Sequence, residues 1–311
     1  MTADNPSDYS YEPVRESGDA SVRRAYWSVA MGLQKVDGLE NSEYLRGLAD
    51  EHIEGVRGIE ETGGLVRAYY QVCESSDDGC GEGSAMDGFR EADLVSQRIV
   101  ELLTRGSFFL MPAMLPLVHR ALFQDLDAAV YRPGEFKTEA LQKREAVLNG
   151  DSVVYADPSL VERSLAFLFE EERSYVYGVE FDEAQLAHLG RFLSRLWQVH
   201  PFVEGNTRTV AVFAVLYLRD LGFDVDNEPF ERHARYFRDA LVRANYRNAK
   251  AGVMPDLSYV QRFLENLLAG ADHTLRSRDL MARPLFDDPS LLRNVDPSCA
   301  FAGAPSSLEK S

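Results

Sequence analysis

One nine-residue run in this 311-residue chain gathers the side chains of a phosphoryl-transfer site: His200-Pro201-Phe202-Val203-Glu204-Gly205-Asn206-Thr207-Arg208. His200 belongs to the pKa class that accepts a hydroxyl proton near neutrality. Gly205-Asn206 brings flexible, helix-capping backbone, and the free N–H groups that open a helix are a ready anion site. Arg208 falls in the first turn of the next helix, where a cation opposes the helix dipole by about 0.3–1 kcal/mol, a placement that makes better sense with an anion bound. Glu204 beside that anion is electrostatically poor unless a cation bridges them, and Mg²⁺ is typically held by one or two carboxylates plus substrate phosphates. Singly, each residue has a bland explanation: a His before Pro is usually a helix-end residue, and a Gly-Asn pair a cap or turn. Base, metal carboxylate, anion cradle and phosphate arginine within nine residues specify phosphoryl or nucleotidyl transfer.

The elements that must position this run are helices. Leu186, Leu189, Phe192, Leu193, Leu196 and Trp197 trace an amphipathic stripe that ends near Val199. Residues 210–221 are apolar nearly all round, as in a buried central helix. Upstream, Val22 to Val36 carry a helical stripe that Gly38 stops, Ser42 caps a second helix that Gly55 closes, and a third ends near Tyr70. Residues 147–155 place Asn149-Gly150 between short apolar runs, the strongest short-range hairpin signal. Asp157-Pro158 opens another helix. The expected class is all-α with a small β-hairpin. The expected division is a flexible tail over 1–20, an N-terminal helical region over 21–74, a linker over 75–87, a catalytic domain over 88–284 and a tail over 285–311. The Gly79, Gly81, Gly83 spacing reads as a surface loop rather than a phosphate loop, because no strand precedes it and its acids repel phosphate.

Composition narrows the partners. Lys and Arg number 33 against 50 Asp and Glu, a net charge of −17, which argues against general nucleic-acid binding and against anionic membranes. A nucleotide must therefore meet a local cluster of positive charge. No apolar run of membrane-spanning length and no secretory pattern over residues 1–20 is evident. Cys73, Cys80 and Cys299 form no pair at zinc spacing, and the expected address is the cytoplasm.

The nine residues resemble the signature of the Fic family (filamentation induced by cAMP), His-x-Phe-x-Asp/Glu-Gly-Asn-Gly/Lys-Arg-x-x-Arg. The similarity extends through residues 115–126 (LPLVHRALFQDL), 133–137 (PGEFK), 147–155 (VLNGDSVVY) and 236–246 (YFRDALVRANY). The resemblance implies a Fic-like helical bundle that transfers AMP from ATP to a Ser, Thr or Tyr hydroxyl of a target protein. It implies His200 as base, Phe202 as core anchor, Glu204 as Mg²⁺ ligand, and Gly205, Asn206 and Thr207 as anion hole with the Asn206 side chain assisting. Arg208 would contact phosphates. The hairpin around Asn149-Gly150 would be a flap whose Val153 and Val154 pair with the target backbone.

Two positions depart from the signature. Thr207 replaces Gly or Lys, and Ala211 stands where the second arginine belongs, so Arg243 is the candidate to reach the terminal phosphates instead. The rival readings are transfer of another nucleotide or phosphate-containing group, and a catalytically weak nucleotide- or partner-binding homologue. A homo-oligomer stays open. The N-terminal region resembles the small antitoxins (VbhA type) that cap Fic toxins, whose inhibitory pattern is Ser/Thr-x-x-x-Glu-Gly. The nearest match is Leu33 to Asp37-Gly38, a candidate inhibitory helix; Asp50 to Glu54-Gly55 is a second. Because Ala211 offers no charge, Asp37 is expected to lack a partner, Asp37→Ala to change activity little, and Ala211→Arg to alter nucleotide affinity.

Overall fold

The stripe that begins at Val22 becomes helix α1 (Ala20–Gln34), opened by the Asp19 side chain accepting from the Ser21 N–H. A 3-10 turn, Lys35–Asp37, follows, and Gly38 ends it with left-handed backbone at φ 74°. Ser42 caps α2 (Glu43–Ile53) through the Leu45 N–H. The computed structural model describes residues 18–75, 84–178, 182–223 and 228–293. Within them follow α3 (Ile59–Ser75), α4 (Ser84–Arg105), α5 (Met114–Phe123), the single turn α6 (Ala128–Tyr131), α7 (Val161–Arg173) and α8 (Glu183–Val199). The order closes with α9 (Asn206–Asp220), α10 (Glu228–Asn245), α11 (Ser258–Leu268) and α12 (Arg283–Asp287).

Helix α9 is the axis of the molecule: every residue from Asn206 to Leu218 is buried. Helices α5, α8 and α1 pack around it. Phe213 meets Phe169 and Phe108 edge-on, and each such buried ring or aliphatic side chain contributes about 1.5–3 kcal/mol. This burial explains the uniform apolarity of residues 210–221.

Helix α1 lies against α4 and α10, so the N-terminal helices share one core with the remainder. The clamp is Asp93 of α4. It is fully buried, and its carboxylate accepts from the Asn41 amide, from both the N–H and hydroxyl of Ser42, and from the Tyr70 hydroxyl. Asp93→Ala would leave these donors without their acceptor, and it should lower stability by about 3 kcal/mol in chemical denaturation. An unchanged midpoint would show that the cluster contributes nothing.

Three boundaries differ from expectation. Residues 84–87, assigned to the linker, already lie in α4, and the Gly79 to Gly83 run lies outside the described residues. The C-terminal tail does not begin at 285: Leu285 is buried, and the Leu285 and Leu291 carbonyls accept from the side-chain amides of Asn149 and Asn248. The third correction is the hairpin. Asn149 (φ 54°) and Gly150 (φ 87°) do make a left-handed turn, but no β-strand forms among the described residues. Residues 146–148 wind into a 3-10 turn, and Val147, Leu148 and Val153 are drawn into the core. The apolar residues that looked like paired strands are anchors facing the rest of the protein. Ala282 supports them by donating its N–H to the Val147 carbonyl.

Candidate active site

Helix α8 ends at Val199, and His200 follows in left-handed backbone (φ 49°), its N–H bonded to the Trp197 carbonyl. The chain then loops over five residues into α9. Phe202 anchors the loop, 1% exposed and stacked on His119 at 3.9 Å. His119 is buried, and burial, reinforced by Arg208, lowers its pKa to about 4 although the Glu204 carbonyl works the other way. Its Nδ1 accepts from the Gly134 N–H at 2.9 Å, which leaves the proton on Nε2 to donate to the Glu204 carbonyl at 3.1 Å. Asn206 closes the loop from within. Its Nδ2 donates to the Phe202 carbonyl at 2.8 Å, and its Oδ1 accepts from the Phe202 N–H at 3.0 Å. The Asn206 side chain thus holds the loop's shape, with both polar atoms engaged by Phe202. Thr207 uses its hydroxyl to accept from the Trp197 indole at 2.9 Å, a tie that the usual Gly or Lys would lack.

Gly205 caps α9 at φ 73°, and no side chain caps the N–H groups of the first turn. A Cβ on Gly205 would lie 2.3 Å from the Phe123 ring. Substitution therefore collides with the core and with the backbone conformation, rather than with the anion space itself. Gly205→Val should cost about 3 kcal/mol of stability and abolish nucleotide binding, as read by thermal melting and calorimetry. Wild-type melting would overturn this geometry.

His200 is 6% exposed, stacked face to face on Tyr155 at 3.9 Å and edge-on to Trp197, and its Nδ1 has no hydrogen-bond partner. Burial first, then Lys137, Lys143 and Arg238, push its pKa down to about 3. The side chain is a neutral imidazole at physiological pH, well below the near-neutral value that residue type alone suggests.

Beside it opens a cleft of about 480 Å³ lined by Lys143, Arg144, Arg208, Arg235 and Arg238, with Asp37, Glu91 and Glu204 facing them. This is the local positive cluster that an acidic chain needs for a nucleotide. Arg208 is 1% exposed, and three side chains hold its guanidinium: Nε is 3.1 Å from Asp37, Nη2 2.7 Å from Glu91, and Nη1 3.1 Å from Gln34 Oε1. Phe123 lies beneath it at 5.0 Å. Burial alone would raise the Asp37 pKa, but Arg208, Lys143 and Arg238 outweigh it and hold the carboxyl below its usual range. Asp37 therefore has a partner after all: the first motif arginine. Two carboxylates occupy the guanidinium where phosphate oxygens are expected to bind.

Glu204 is 42% exposed, and its ion partner is Lys143, 3.7 Å away. Among the described residues no group of three His, Cys, Asp or Glu is placed to hold a metal. A single solvent-facing carboxylate fits Mg²⁺ that takes its remaining ligands from phosphates and water.

Other expected residues fall elsewhere. Arg243 packs toward Tyr259, 5.9 Å from its ring, and does not line the cleft. At 100° per residue, five positions turn it about 140° away from Arg238, while Arg235 and Arg238 share one face. Ala211 is fully buried, so an arginine there would overpack the core before reaching a nucleotide. Val153 is buried and cannot present an edge; Val154 is 64% exposed and borders a groove of about 590 Å³ with Leu160, Phe167 and Arg195. Leu33 is a core residue. Gln34, Glu91, Lys143, Glu145 and Arg238 escaped the sequence reading. Their only signal was the i, i+3 spacing of Arg235 and Arg238.

Residues 110–218 match the Fic/DOC family. A probable protein adenylyltransferase, y4lH of Sinorhizobium fredii (strain NBRC 101917 / NGR234), is 34% identical over 89 residues, which are 28% of this chain and 45% of that protein. The chain thus matches less than half the length of this curated relative. A Fic domain containing signaling protein from Bacteroides thetaiotaomicron VPI-5482 aligns over 86% of this chain and 89% of its own at 14% identity, with a TM-score of 0.42. The family match runs from the segment before α5, through the His200–Arg208 loop, into α9, so Asp37 and Arg238 reach the cleft from outside it. That loop and the buried helix behind it lie inside the matched segment, so residues 110–218 are the part of the chain that is similar to the Fic/DOC family.

Proposed function

We propose that this chain is a Mg²⁺-dependent protein adenylyltransferase that moves AMP from ATP to a Ser, Thr or Tyr hydroxyl of a target protein. The observation that carries the reading is the basic cleft lined by Lys143, Arg208, Arg235 and Arg238 in a chain of net charge −17, which shares Lys143, Glu204 and Arg238 with the small pocket formed by His200 and the uncapped first turn of α9. In this reading the first-turn N–H groups of α9 hold the α-phosphate, and Arg208, Arg235 and Arg238 hold the phosphates beyond it. The target oxygen bonds to the α-phosphorus, the bond to pyrophosphate breaks, and His200 takes the hydroxyl proton. Glu204 would hold Mg²⁺, which supplies charge neutralisation for the phosphates. The target chain approaches along the exposed Val154, which adjoins the Tyr155 and His200 stack.

The Lys35–Asp37 turn supports an inhibitory role for the N-terminal segment, because Asp37 and Glu91 compete with phosphate for Arg208. The composition supports a cytoplasmic address, and no helix among the described residues is long and apolar enough to cross a membrane. The deciding experiment incubates the chain and its Asp37→Ala variant with labelled ATP, GTP, CTP and UTP plus cell lysate, followed by mass spectrometry. AMP on hydroxyl side chains is the expected product. Another nucleotide or bare phosphate on the targets would replace this reading, as would no modification by either protein.

A further inference from the structure

Asn206 holds the shape of the His200–Arg208 loop from within, and the buried carboxylate of Glu145 braces two groups beside it, Arg238 and Tyr155. Glu145 is fully buried one residue before the 3-10 turn that ends at Asn149. Its backbone is fixed on both sides: its N–H donates to the Asp151 carbonyl, and its carbonyl accepts from the Gly150 N–H. One carboxylate oxygen, Oε2, accepts from Arg238 Nη2 at 2.7 Å; the other, Oε1, accepts from the Tyr155 hydroxyl at 3.3 Å. Arg238 lines the cleft, and the Tyr155 ring is stacked on His200 with an interplanar angle of 19°. Each oxygen therefore serves a different part of the site.

We infer that Glu145 is a positioning residue that sets the phosphate-facing Arg238 and the His200 imidazole together. An unpaired guanidinium that is only 15% exposed turns toward any water or acid within reach, so Arg238 needs a fixed acceptor to keep its place in the cleft. His200, with left-handed backbone and no partner at Nδ1, has its ring orientation set by its aromatic neighbours, of which Tyr155 is the stacked one. The Asn-Gly turn then acquires a role that does not depend on strand pairing: it fixes the backbone of the residue that orients both groups.

The inference rests on the nucleotide reading for its Arg238 half only, and the variants separate the halves. Glu145→Gln keeps an amide oxygen for the Tyr155 hydroxyl but removes the charge that holds Arg238. It should weaken Mg·ATP binding about tenfold in calorimetry, leaving the His200 imidazole signals in place. Glu145→Ala loses both contacts, and it should also move the His200 NMR signals downfield, toward those of Tyr155→Leu, as ring-current shielding is lost. In a double-mutant cycle, Arg238→Gln should add little to Glu145→Gln. All measurements are made on the full chain carrying Asp37→Ala, with the His200 signals assigned by their loss in His200→Ala. If that parent bound no Mg·ATP, the nucleotide reading would fail, and the imidazole signals of Glu145→Ala would still judge Glu145. Should Glu145→Ala not fold, the isosteric Glu145→Gln and its cycle decide. Mg·ATP affinity within twofold of the parent in Glu145→Gln, or unshifted His200 signals in folded Glu145→Ala, overturns the inference.

Discussion

His200→Ala should lower target modification and self-modification about 10²–10⁴-fold, the usual cost of losing a general base, while Mg·ATP affinity stays within about twofold. In the proposed reading the affinity is spared because Arg208, Arg235, Arg238 and the first turn of α9, rather than the imidazole, would face the phosphates. No second histidine can take over: His119 faces the Glu204 carbonyl and the Gly134 N–H and is stacked beneath Phe202. The low pKa of His200 also fixes a pH dependence. A group at about 3 is already deprotonated throughout pH 5–8, so it contributes no rising limb to the rate there. In the proposed reading, a triphosphate bound beside Lys143 and Arg238 would raise that value by offsetting the cations that depress it, and so would strengthen the base. A purified, folded His200→Ala protein that modifies targets at the wild-type rate would end the assignment.

The second large effect has the opposite sign. Asp37→Ala should tighten Mg·ATP binding about 10–100-fold and raise self-modification, because it frees Arg208 from a buried ion pair. The contact lies over a guanidinium that is 1% exposed, where water does not screen it as it would at a surface. Asp37 has a lowered pKa, so the ion pair is complete at every pH above the ordinary carboxylate range and is lost only in acid, as pH falls through the folded value. The ion pair is thus constant through neutrality, and in the proposed reading a competing anion rather than titration would release it. Glu91→Gln should act in the same direction, and the two should be strongly non-additive, since both acids share one guanidinium. Unchanged affinity in Asp37→Ala would show that the turn after α1 is structural. Weaker binding would show that Asp37 itself helps to hold the nucleotide.

Residues close together in sequence were legible without the fold. The His200–Arg208 run joins two helices, so spacing alone puts a histidine, a carboxylate, a helix N-terminus and an arginine on one nine-residue segment. The stripes of α1 and α8 follow from 3.6-residue periodicity, the apolar run 210–218 reads as a buried helix, and Ser42, Gly38 and Asp157 punctuate helices by local hydrogen bonding and backbone freedom. The same local logic misled at residues 147–155. An Asn-Gly turn between apolar runs describes a hairpin equally well as it describes a turn whose flanks are buried by distant helices, and only packing against the 282–285 segment separates the two.

The sequence by itself determined the helical class and the place of the His200–Arg208 loop between two helices, because these depend on contacts a few residues apart. Only the tertiary structure decided what surrounds them. Asp37, Glu91 and Arg208 are separated by tens of residues or more, and they meet because α1 packs against α4, α9 and α10. That meeting gives Asp37 the partner that Ala211 could not provide. It also makes Arg238 rather than Arg243 the cation at the cleft, since the face that α10 turns inward is fixed by the helices packed on it. The lowered pKa of His200 belongs to the same class of fact, because burial and the cations Lys137, Lys143 and Arg238 are properties of position in space.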